Sequence, residues 1–283
     1  MSRQKNGDRI TGWVILDKPL GISSNAAIMQ VRRLLNANRV GHAGTLDPMA
    51  TGVLPIALGE ATKLISYLVA DQKTYRFTVK FGEARSTDDA EGEVIASSPL
   101  RPSRADLLQL LPQFRGLILQ RPPIFSAIQQ GGVRAYDAAR QGKPLDLPPR
   151  QVQIDRLEII EFDDSNREFA ILEMDCGPGT FVRSLARDLG DKLGSFAYVA
   201  KLHRSRVGKI TDSIAISLDK LAELRHSNGA INSVLPLLTL LDDIPALPVT
   251  AAEARLIGLG QAIAFSLPPY RIEVSSTSLE SQG

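Results

Sequence analysis

This sequence is poor in cysteine, histidine and aromatic residues, and it has no long apolar run. Its 283 residues include one cysteine, three histidines and one tryptophan, and aromatic residues make up 5% of it. The lone Cys176 excludes an internal disulfide framework and a metal site built from cysteines, and it fits a reducing cytoplasm. No apolar stretch approaches the roughly 18 residues that a membrane span needs, and the polar start MSRQKNGDR lacks a signal-peptide core. We therefore expect a cytoplasmic protein with no membrane partner.

Net charge is also small, so it says little about partners. The formal charge is +2, and the 43% hydrophobic and 23% charged residues are typical of a globular protein with a full core. A chain of this length has room for one large domain and a small appendage. Two basic clusters stand out: Arg32, Arg33 and Arg39, and Lys201, His203, Arg204, Arg206 and Lys209. On sequence alone, a solvated face has about an even chance as the interpretation of such clusters.

Strand-like and helix-like stretches alternate along the chain. Apolar or alternating patterns predict strands over residues 12–16, 53–58, 75–81, 152–160 and 169–176. Helical spacing predicts helices that begin at Ser23 or Ser24, over 61–69, from a cap at Ser103 to about Leu111, and over 181–193. Residues 85–92 form an acidic turn, and residues 120–132 form a long loop. Without regular βαβ repetition, this pattern predicts an α+β fold with a mixed sheet.

The most informative stretch is GHAGTLDPMATG, residues 41–52. Its glycines allow tight turns and close approach to a ligand, and loops on a rigid scaffold commonly carry chemistry. Asp47 is its only acid, and Pro48 favours an extended backbone at that residue. Asp47 is therefore a candidate nucleophile. The alternative is a turn former, since Asx-Pro turns are common.

Six segments, which cover most of residues 12–208, read DKPLGISSN, GHAGTLDPMATG, KTY, RSTDDAEG, PPIFSAIQQGGVRAY and GTFVRSLARDLG. In their order and spacing they resemble the TruB family of bacterial tRNA pseudouridine-55 synthases. The resemblance implies the pseudouridine synthase fold, a mainly antiparallel central sheet flanked by helices. It also implies an enzyme that isomerises one uridine in the T-arm of tRNA to pseudouridine, with no cofactor and no metal.

The resemblance implies three catalytic residues. Asp47 is the carboxylate that attacks the sugar or helps to remove a ribose proton, and the sequence leaves those two routes open. Arg183 is the arginine that pairs with it and keeps it ionised and oriented. Tyr75 is the tyrosine that stacks on the target base and is implicated in handling the C5 proton.

Three further residues are implied to bind substrate. His42 is expected to help to fill the place of the flipped base in the RNA stack, since an imidazole can stack and hydrogen-bond. Lys18 is expected to have a structural or phosphate-contacting role, and Leu202 to line the uracil pocket. Metal ligation by His42 is a weak alternative to RNA binding, because His203 and His226 have no ligand-like spacing to it.

The resemblance also predicts the domain organisation and the partner. Residues 1–245 are expected to form the catalytic domain, with a mobile RNA-binding insertion at about 120–150 that contains Arg121, Arg134, Arg140 and Lys143. Residues 246–283 resemble a short or truncated PUA-like RNA-binding segment with a disordered tail. The expected partner is the T-arm stem-loop of tRNA, and the expected state is a monomer.

Four positions depart from the family pattern. The family usually has tyrosine at Phe125, commonly lysine at Gln129, and usually lysine and tyrosine at Pro178 and Phe181. These changes remove hydroxyls and positive charge from positions expected to face RNA or the pocket. None of them touches the three implied catalytic residues, so we expect the chemistry to be retained.

Other functional classes remain as alternatives. A tRNA-binding folding helper would keep a basic surface and His42 but would not need Asp47. A phosphate- or nucleotide-binding enzyme would need GK[ST] or GxGxxG, and the sequence has neither in the required context. A glycosidase would need a second carboxylate. Asp88, Asp89 or Glu91 could supply it, although an acidic turn is expected to be exposed.

Overall fold

The structure, a computed structural model, describes residues 7–69, 71–225, 229–240 and 248–264. His226 and the expected disordered tail at 265–283 lie outside these ranges. The chain divides into two compact units, residues 1–241 and 242–283. None of the helices in the described ranges has the length and apolarity to cross a bilayer.

Thirteen strands lie within the described part of the larger unit. They are β1 (Gly12–Lys18), β2 (Val40–His42), β3 (Ala50–Leu58), β4 (Lys73–Phe81), β5 (Glu83–Arg85), β6 (Val94–Ser97), β7 (Gly116–Gln120), β8 (Gln129–Gln130), β9 (Val133–Arg134), β10 (Arg150–Phe162), β11 (Phe169–Cys176), β12 (Ala197–Val207) and β13 (Ile210–Thr211). The main sheet has the order β1-β3-β12-β4-β11-β10-β7, with β2 on β3 and β13 on β12. Among these described ladders, β12 runs parallel to β3, and the other pairs are antiparallel.

The helices are short. They are α1 (Ser24–Leu34), α2 (Ile65–Val69), α3 (Arg104–Leu110), α4 (Ala135–Arg140), α5 (Val182–Lys192), α6 (Leu218–Arg225) and, in the smaller unit, α7 (Ala251–Gly258). Helix α1 starts where the Ser23 hydroxyl accepts a hydrogen bond from the Ala26 N–H, and α3 starts with a capping box between Ser103 and Asp106. A side-chain oxygen at this position satisfies an N–H that has no partner within the helix.

The core lies mainly on one face of the sheet. There, Phe77, Val79 and Phe81 of β4 belong to one apolar cluster with residues of α1, α3, α5 and α6. Along β1 the side chains alternate between this cluster and a second one that includes Trp13 and Ile15. Because β1 is buried on both faces, its sequence is a continuous apolar run rather than an alternating one.

The main elements agree with the sequence-based prediction. The mixed, mainly antiparallel sheet is confirmed, and each of the five predicted strands lies within an observed one. The single helix predicted over 61–69 is wrong. A 3₁₀ turn at Gly59–Lys63 is followed by the separate α2, because the Thr62 hydroxyl bonds the Gly59 carbonyl and Leu64 leaves the helical conformation. Strand β12 was not predicted, although it lies in the middle of the sheet.

Candidate active site

Asp47 lies in the connection between β2 and β3, and hydrogen bonds anchor this connection at its first residue, Ala43, and next to Asp47, at Leu46. The Ala43 N–H donates to the Pro55 carbonyl, over 2.9 Å. The buried Ser24 hydroxyl both accepts from the Leu46 N–H (2.8 Å) and donates to the Leu46 carbonyl (2.9 Å). The loop that carries Asp47 is therefore anchored to the start of α1 and is not a free turn.

Lys18 also holds this loop in place, through hydrogen bonds to backbone carbonyls. Its side chain is fully buried, and its ammonium donates to the carbonyls of Pro19 (2.8 Å), Ile22 (2.7 Å) and Pro48 (3.3 Å). Burial lowers the pKa of Lys18 to about 8, and the nearby Asp47 carboxylate opposes this shift. With its donors used on backbone carbonyls, Lys18 fits the structural role better than a contact with an RNA phosphate.

Arg183, at the start of α5, holds Asp47. Its Nε lies 2.9 Å from Asp47 Oδ2, and its Nη1 lies 3.5 Å from Asp89 Oδ2. The same guanidinium donates to the Thr87 carbonyl (3.0 Å) and the Phe125 carbonyl (2.9 Å). The Arg183 side chain is 4% exposed, whereas that of Asp47 is 35% exposed. The arginine is thus locked in place, and the carboxylate is paired on one side and open on the other.

Burial and charge act on Asp47 in opposite directions. Desolvation raises the pKa of Asp47, the Arg183 and Lys18 cations lower it, and the neighbouring Asp89 carboxylate raises it. The net direction is upward. Arg183 therefore favours the charged form of a carboxyl group that its surroundings would otherwise neutralise.

Two of the three acids of the acidic turn, Asp88 and Asp89, are not exposed, which corrects the sequence-based expectation for them, whereas Glu91 is exposed. Asp89 is 3% exposed, and its Oδ1 accepts from the Thr87 hydroxyl (2.5 Å) and the Glu91 N–H (3.0 Å). Asp88 Oδ2 lies 3.0 Å from Arg187 Nη1, and burial raises the pKa of Asp88 to about 6, with Arg187 opposing. Arg183 and Arg187 are four residues apart on α5, so they draw these two acids toward one face of the helix.

A cavity of about 360 Å³ brings together four of the six predicted site residues. Asp47, Tyr75, Arg183 and Leu202 all line it. Tyr75 on β4 and Leu202 on β12 come from adjacent strands of the sheet, and both are nearly buried. Burial raises the pKa of Tyr75, and the Arg204 guanidinium opposes that shift. At neutral pH the phenol is neutral, so it offers an apolar ring and a hydroxyl to whatever fills the cavity.

His42 and Lys18 do not line this cavity. His42 ends β2 opposite Ile56 and is half-buried. Its Nδ1 is buried without a hydrogen-bond partner among the described residues, and burial lowers its pKa. No group of three or more His, Cys, Asp and Glu side chains in the described ranges is arranged to hold a metal. His203 instead contacts the Thr51 hydroxyl (2.9 Å) and Asp212 (3.3 Å).

Arg204 is a site residue that the sequence analysis placed only within a basic cluster. It is 1% exposed and lines the cavity, and it donates to the carbonyls of Val53 (2.8 Å) and Gly44 (3.0 Å). Lys201, on the same strand, is exposed, so the cluster is not a uniform solvated face. No regular alternation in the sequence marks it: Leu202 and Arg204 are buried, but a β-bulge between Arg204 and Arg206 breaks the period, so that the next buried residue is Val207.

The four departures from the family pattern occupy different surroundings. Phe125 packs edge-to-face on Tyr136, with ring centroids 6.1 Å apart, and its carbonyl accepts from Arg183. Pro178 and Phe181 line the cavity, whereas Gln129 lies exposed on the short strand β8. Two of the departures therefore belong to the cavity wall and a third contacts the buried arginine through its backbone.

Comparisons with known proteins identify the family of this chain. A model of the TruB family pseudouridylate synthase N-terminal domain matches residues 32–182, and a model of the tRNA pseudouridylate synthase B C-terminal domain matches 183–244. The second match ends before the segment 246–283, whose PUA-like character stays a prediction.

Whole-chain similarity is high. The tRNA pseudouridine synthase B of Bradyrhizobium diazoefficiens is 47% identical over 274 residues, covering 93% of this chain and 79% of that protein. The protein of the same name from Caulobacter vibrioides is 45% identical, covering 99% of this chain and 89% of that protein. A chain in a crystal structure of a Cbf5-Nop10-Gar1 complex superposes with a TM-score of 0.62 at 26% identity, covering 80% of this chain and 60% of that one. The chain therefore belongs to the TruB family of tRNA pseudouridine synthases.

Proposed function

We propose that this protein converts the uridine at position 55, in the T-arm of tRNA, to pseudouridine, with Asp47 as the reacting carboxylate. The observation that supports this most is the Asp47–Arg183 pair at the wall of the cavity. A carboxylate that is oriented by a buried cation and still 35% exposed can reach a bound nucleotide. The cavity volume lies within the range of about 300–1,000 Å³ that is usual for small-ligand sites.

The reaction balances without a co-substrate. The C1′–N1 bond breaks, the uracil turns, and a C1′–C5 bond forms; the C5 proton leaves and N1 gains one. Asp47 can assist by attacking C1′ or by accepting a ribose proton, and either route splits one difficult step into easier ones. Both routes need the ionised carboxylate, which is the form that Arg183 favours.

A uridine within a folded stem-loop must leave its stack before it can enter this cavity. Tyr75 and Leu202 supply flat and apolar surfaces suited to a uracil ring. His42 is the last residue of β2, just before the Asp47 loop, and does not line the cavity. It therefore fits a contact with the RNA stack that the uridine has left. The insertion at 120–150 and the segment 246–283 would add contacts to the rest of the RNA.

We further propose that the protein acts in the cytoplasm as a monomer. Its one cysteine, Cys176, is buried, and burial raises its pKa to about 12, so it is an unreactive thiol. All the site residues named above come from one chain, so the chemistry as proposed requires no second copy.

The deciding experiment is to incubate the protein with an unmodified T-arm hairpin, without metal or nucleotide, and to assay pseudouridine. Wild type, Asp47→Asn and the control Asp164→Asn are compared; Asp164 is an exposed acid in the turn between β10 and β11. We expect product at the target uridine with wild type and with the control, and none with Asp47→Asn.

If neither wild type nor Asp47→Asn forms product while both bind the hairpin, a full-length tRNA transcript is tested next. Binding without product on that transcript would favour the tRNA-binding folding helper. Product from Asp47→Asn at the wild-type rate would remove Asp47 from the mechanism.

A further inference from the structure

Gln120 is a buried amide outside the set of residues assigned to the reaction so far. It is the last residue of β7, at the sheet edge and at the start of the 120–150 insertion, and it is 2% exposed. Its Nε2 donates to the Phe181 carbonyl (3.0 Å), and its Oε1 accepts from the Phe181 N–H (2.8 Å). Because both the donor and the acceptor of this buried amide bond the backbone of one residue, the position of that residue is closely fixed.

Phe181 is the N-cap residue, immediately before the first residue of α5 and two positions before Arg183. No side chain caps this helix in the usual way. The Gln120 amide is therefore a tether for the helix start, bonding the N–H and C=O of Phe181 as a neighbouring strand would. Any displacement of Phe181 moves the Arg183 backbone with it, because both belong to the same turn.

The tether continues along the segment that follows. The Arg121 carbonyl accepts from the Ser184 hydroxyl (2.8 Å) and from Arg187 Nη2 (2.9 Å), and the Phe125 carbonyl accepts from Arg183 Nη2 (2.9 Å). Residues 120–125 thus run along the first turn of α5 and contact it through a side chain and two backbone carbonyls. The start of the insertion and the arginine that orients Asp47 are one hydrogen-bonded unit.

We propose that Gln120 is a positioning residue for the reaction: by holding the Phe181 backbone, it sets the place of the Arg183 guanidinium against Asp47. This inference rests on the proposed function. It assigns Gln120 no contact with RNA, since both ends of its amide are used on Phe181. Its loss should therefore slow the chemical step and leave RNA affinity nearly unchanged.

The test compares Gln120→Met with wild type. Methionine has a similar length and shape and can make neither hydrogen bond. The control is Gln113→Met, because Gln113 accepts from Lys192 at the opposite end of α5, over 3.2 Å. Single-turnover pseudouridine formation on the hairpin is measured with enzyme in excess, and hairpin Kd is measured separately. The folded fraction is measured from the fluorescence of Trp13, the one tryptophan.

We expect the single-turnover rate of folded Gln120→Met to fall by about 10–100-fold, the cost of a misplacement of about 1 Å at a reacting pair. Its Kd should stay within about threefold of wild type, and the control should match wild type in both. If Gln120→Met does not fold, Gln120→Asn replaces it, since it keeps an amide with both a donor and an acceptor but is one methylene shorter; a smaller fall in rate, of about 3–10-fold, is then expected.

A folded variant that turns over bound hairpin at the wild-type rate would overturn the proposal. So would equal losses in rate and affinity, which would make Gln120 part of RNA binding. A failure of the proposed function is distinguishable from both, because wild type itself would then form no pseudouridine.

Discussion

Replacing Arg183 with lysine tests how the site holds its carboxylate. The guanidinium contacts Asp47 through Nε, Thr87 and Asp89 through Nη1, and Phe125 through Nη2. These three nitrogens point in fixed, different directions. Lysine keeps the positive charge but has one nitrogen, so it cannot reach all of these partners. The substitution therefore tests the geometry of the guanidinium separately from its positive charge.

The magnitude follows from the hydrogen bonds that a lysine at this position cannot make. A hydrogen bond to a charged group contributes about 1.5–3 kcal/mol. The contact of Arg183 Nε with Asp47 is an ion pair and not a hydrogen bond. Counted at the same free energy as one charge-assisted bond, its loss corresponds to a fall in rate of about 10–100-fold, since 1.36 kcal/mol is tenfold. Because the charge remains, the free energy of unfolding should fall by less than the 3–5 kcal/mol that removal of a buried partner typically costs; we expect about 2–3 kcal/mol.

The assay measures rate and affinity separately, as single-turnover pseudouridine formation and hairpin Kd. Arg187→Lys is the matched control, since Arg187 lies one turn further along α5 and pairs with Asp88 and Asp188 rather than Asp47. We expect Arg183→Lys to lose turnover with Kd nearly unchanged and Arg187→Lys to lose mainly stability. Equal losses of turnover and affinity in Arg183→Lys would refute this reasoning and make Arg183 an RNA contact.

Three further predictions concern other positions. Ser126 Oγ lines the cavity, buried and without a hydrogen-bond partner among the described residues, so Ser126→Ala should leave Tm unchanged or higher and lower kcat/KM by about 2–10-fold; a lower Tm with full activity would contradict a substrate contact. The pKa of Asp88, raised to about 6 in the folded protein, means that the native state keeps a proton that the unfolded chain releases near 3.8. The stability of wild type relative to Asp88→Asn should therefore fall as pH rises from about 4 through 6, in urea titrations, and a flat difference would contradict the shift. Gly52→Ala would place a Cβ 2.3 Å from the Arg204 carbonyl at φ +99°, whereas Gly21→Ala, at φ +85°, meets nothing within 4 Å; we expect costs of about 3 kcal/mol or more and about 1 kcal/mol, and similar costs would contradict the clash.

The sequence predicted the parts of the site that are encoded locally. The Asp47 loop is recognisable because its glycines, proline and single acid stand together, and the strands around it have their own apolar patterns. Tyr75, Arg183 and Leu202 were assigned by resemblance, and the fold brings them to one cavity with Asp47. The strands and helices that alternate along the chain were also predictable, since strand and helix periodicities are local properties of the sequence.

The parts that could not be predicted depend on distant partners. RSTDDAEG reads as a solvated turn, yet its Asp89 is buried, next to Arg183, 94 positions further on, and beside β12 at Val199. Strand β12 was hidden because buried Arg204 replaces an apolar residue in its alternation, and its charge is matched by backbone carbonyls of β3 and the preceding loop. Hydrogen bonds of this kind leave no local pattern in a sequence.

The place of β12 in the sheet has a consequence for how the protein forms during synthesis. β12 lies between β3 and β4, which the chain completes more than a hundred residues earlier. A nascent chain that ends before Ala197 has both of these strands but leaves their facing edges unpaired, and unpaired edges invite pairing with other chains. Tyr75 and the Asp47 loop then lie on opposite sides of an open gap. Translation must pass Val207, the last residue of β12, before the two halves of the site meet, so a chain that ends before β12 would be inactive and prone to aggregate.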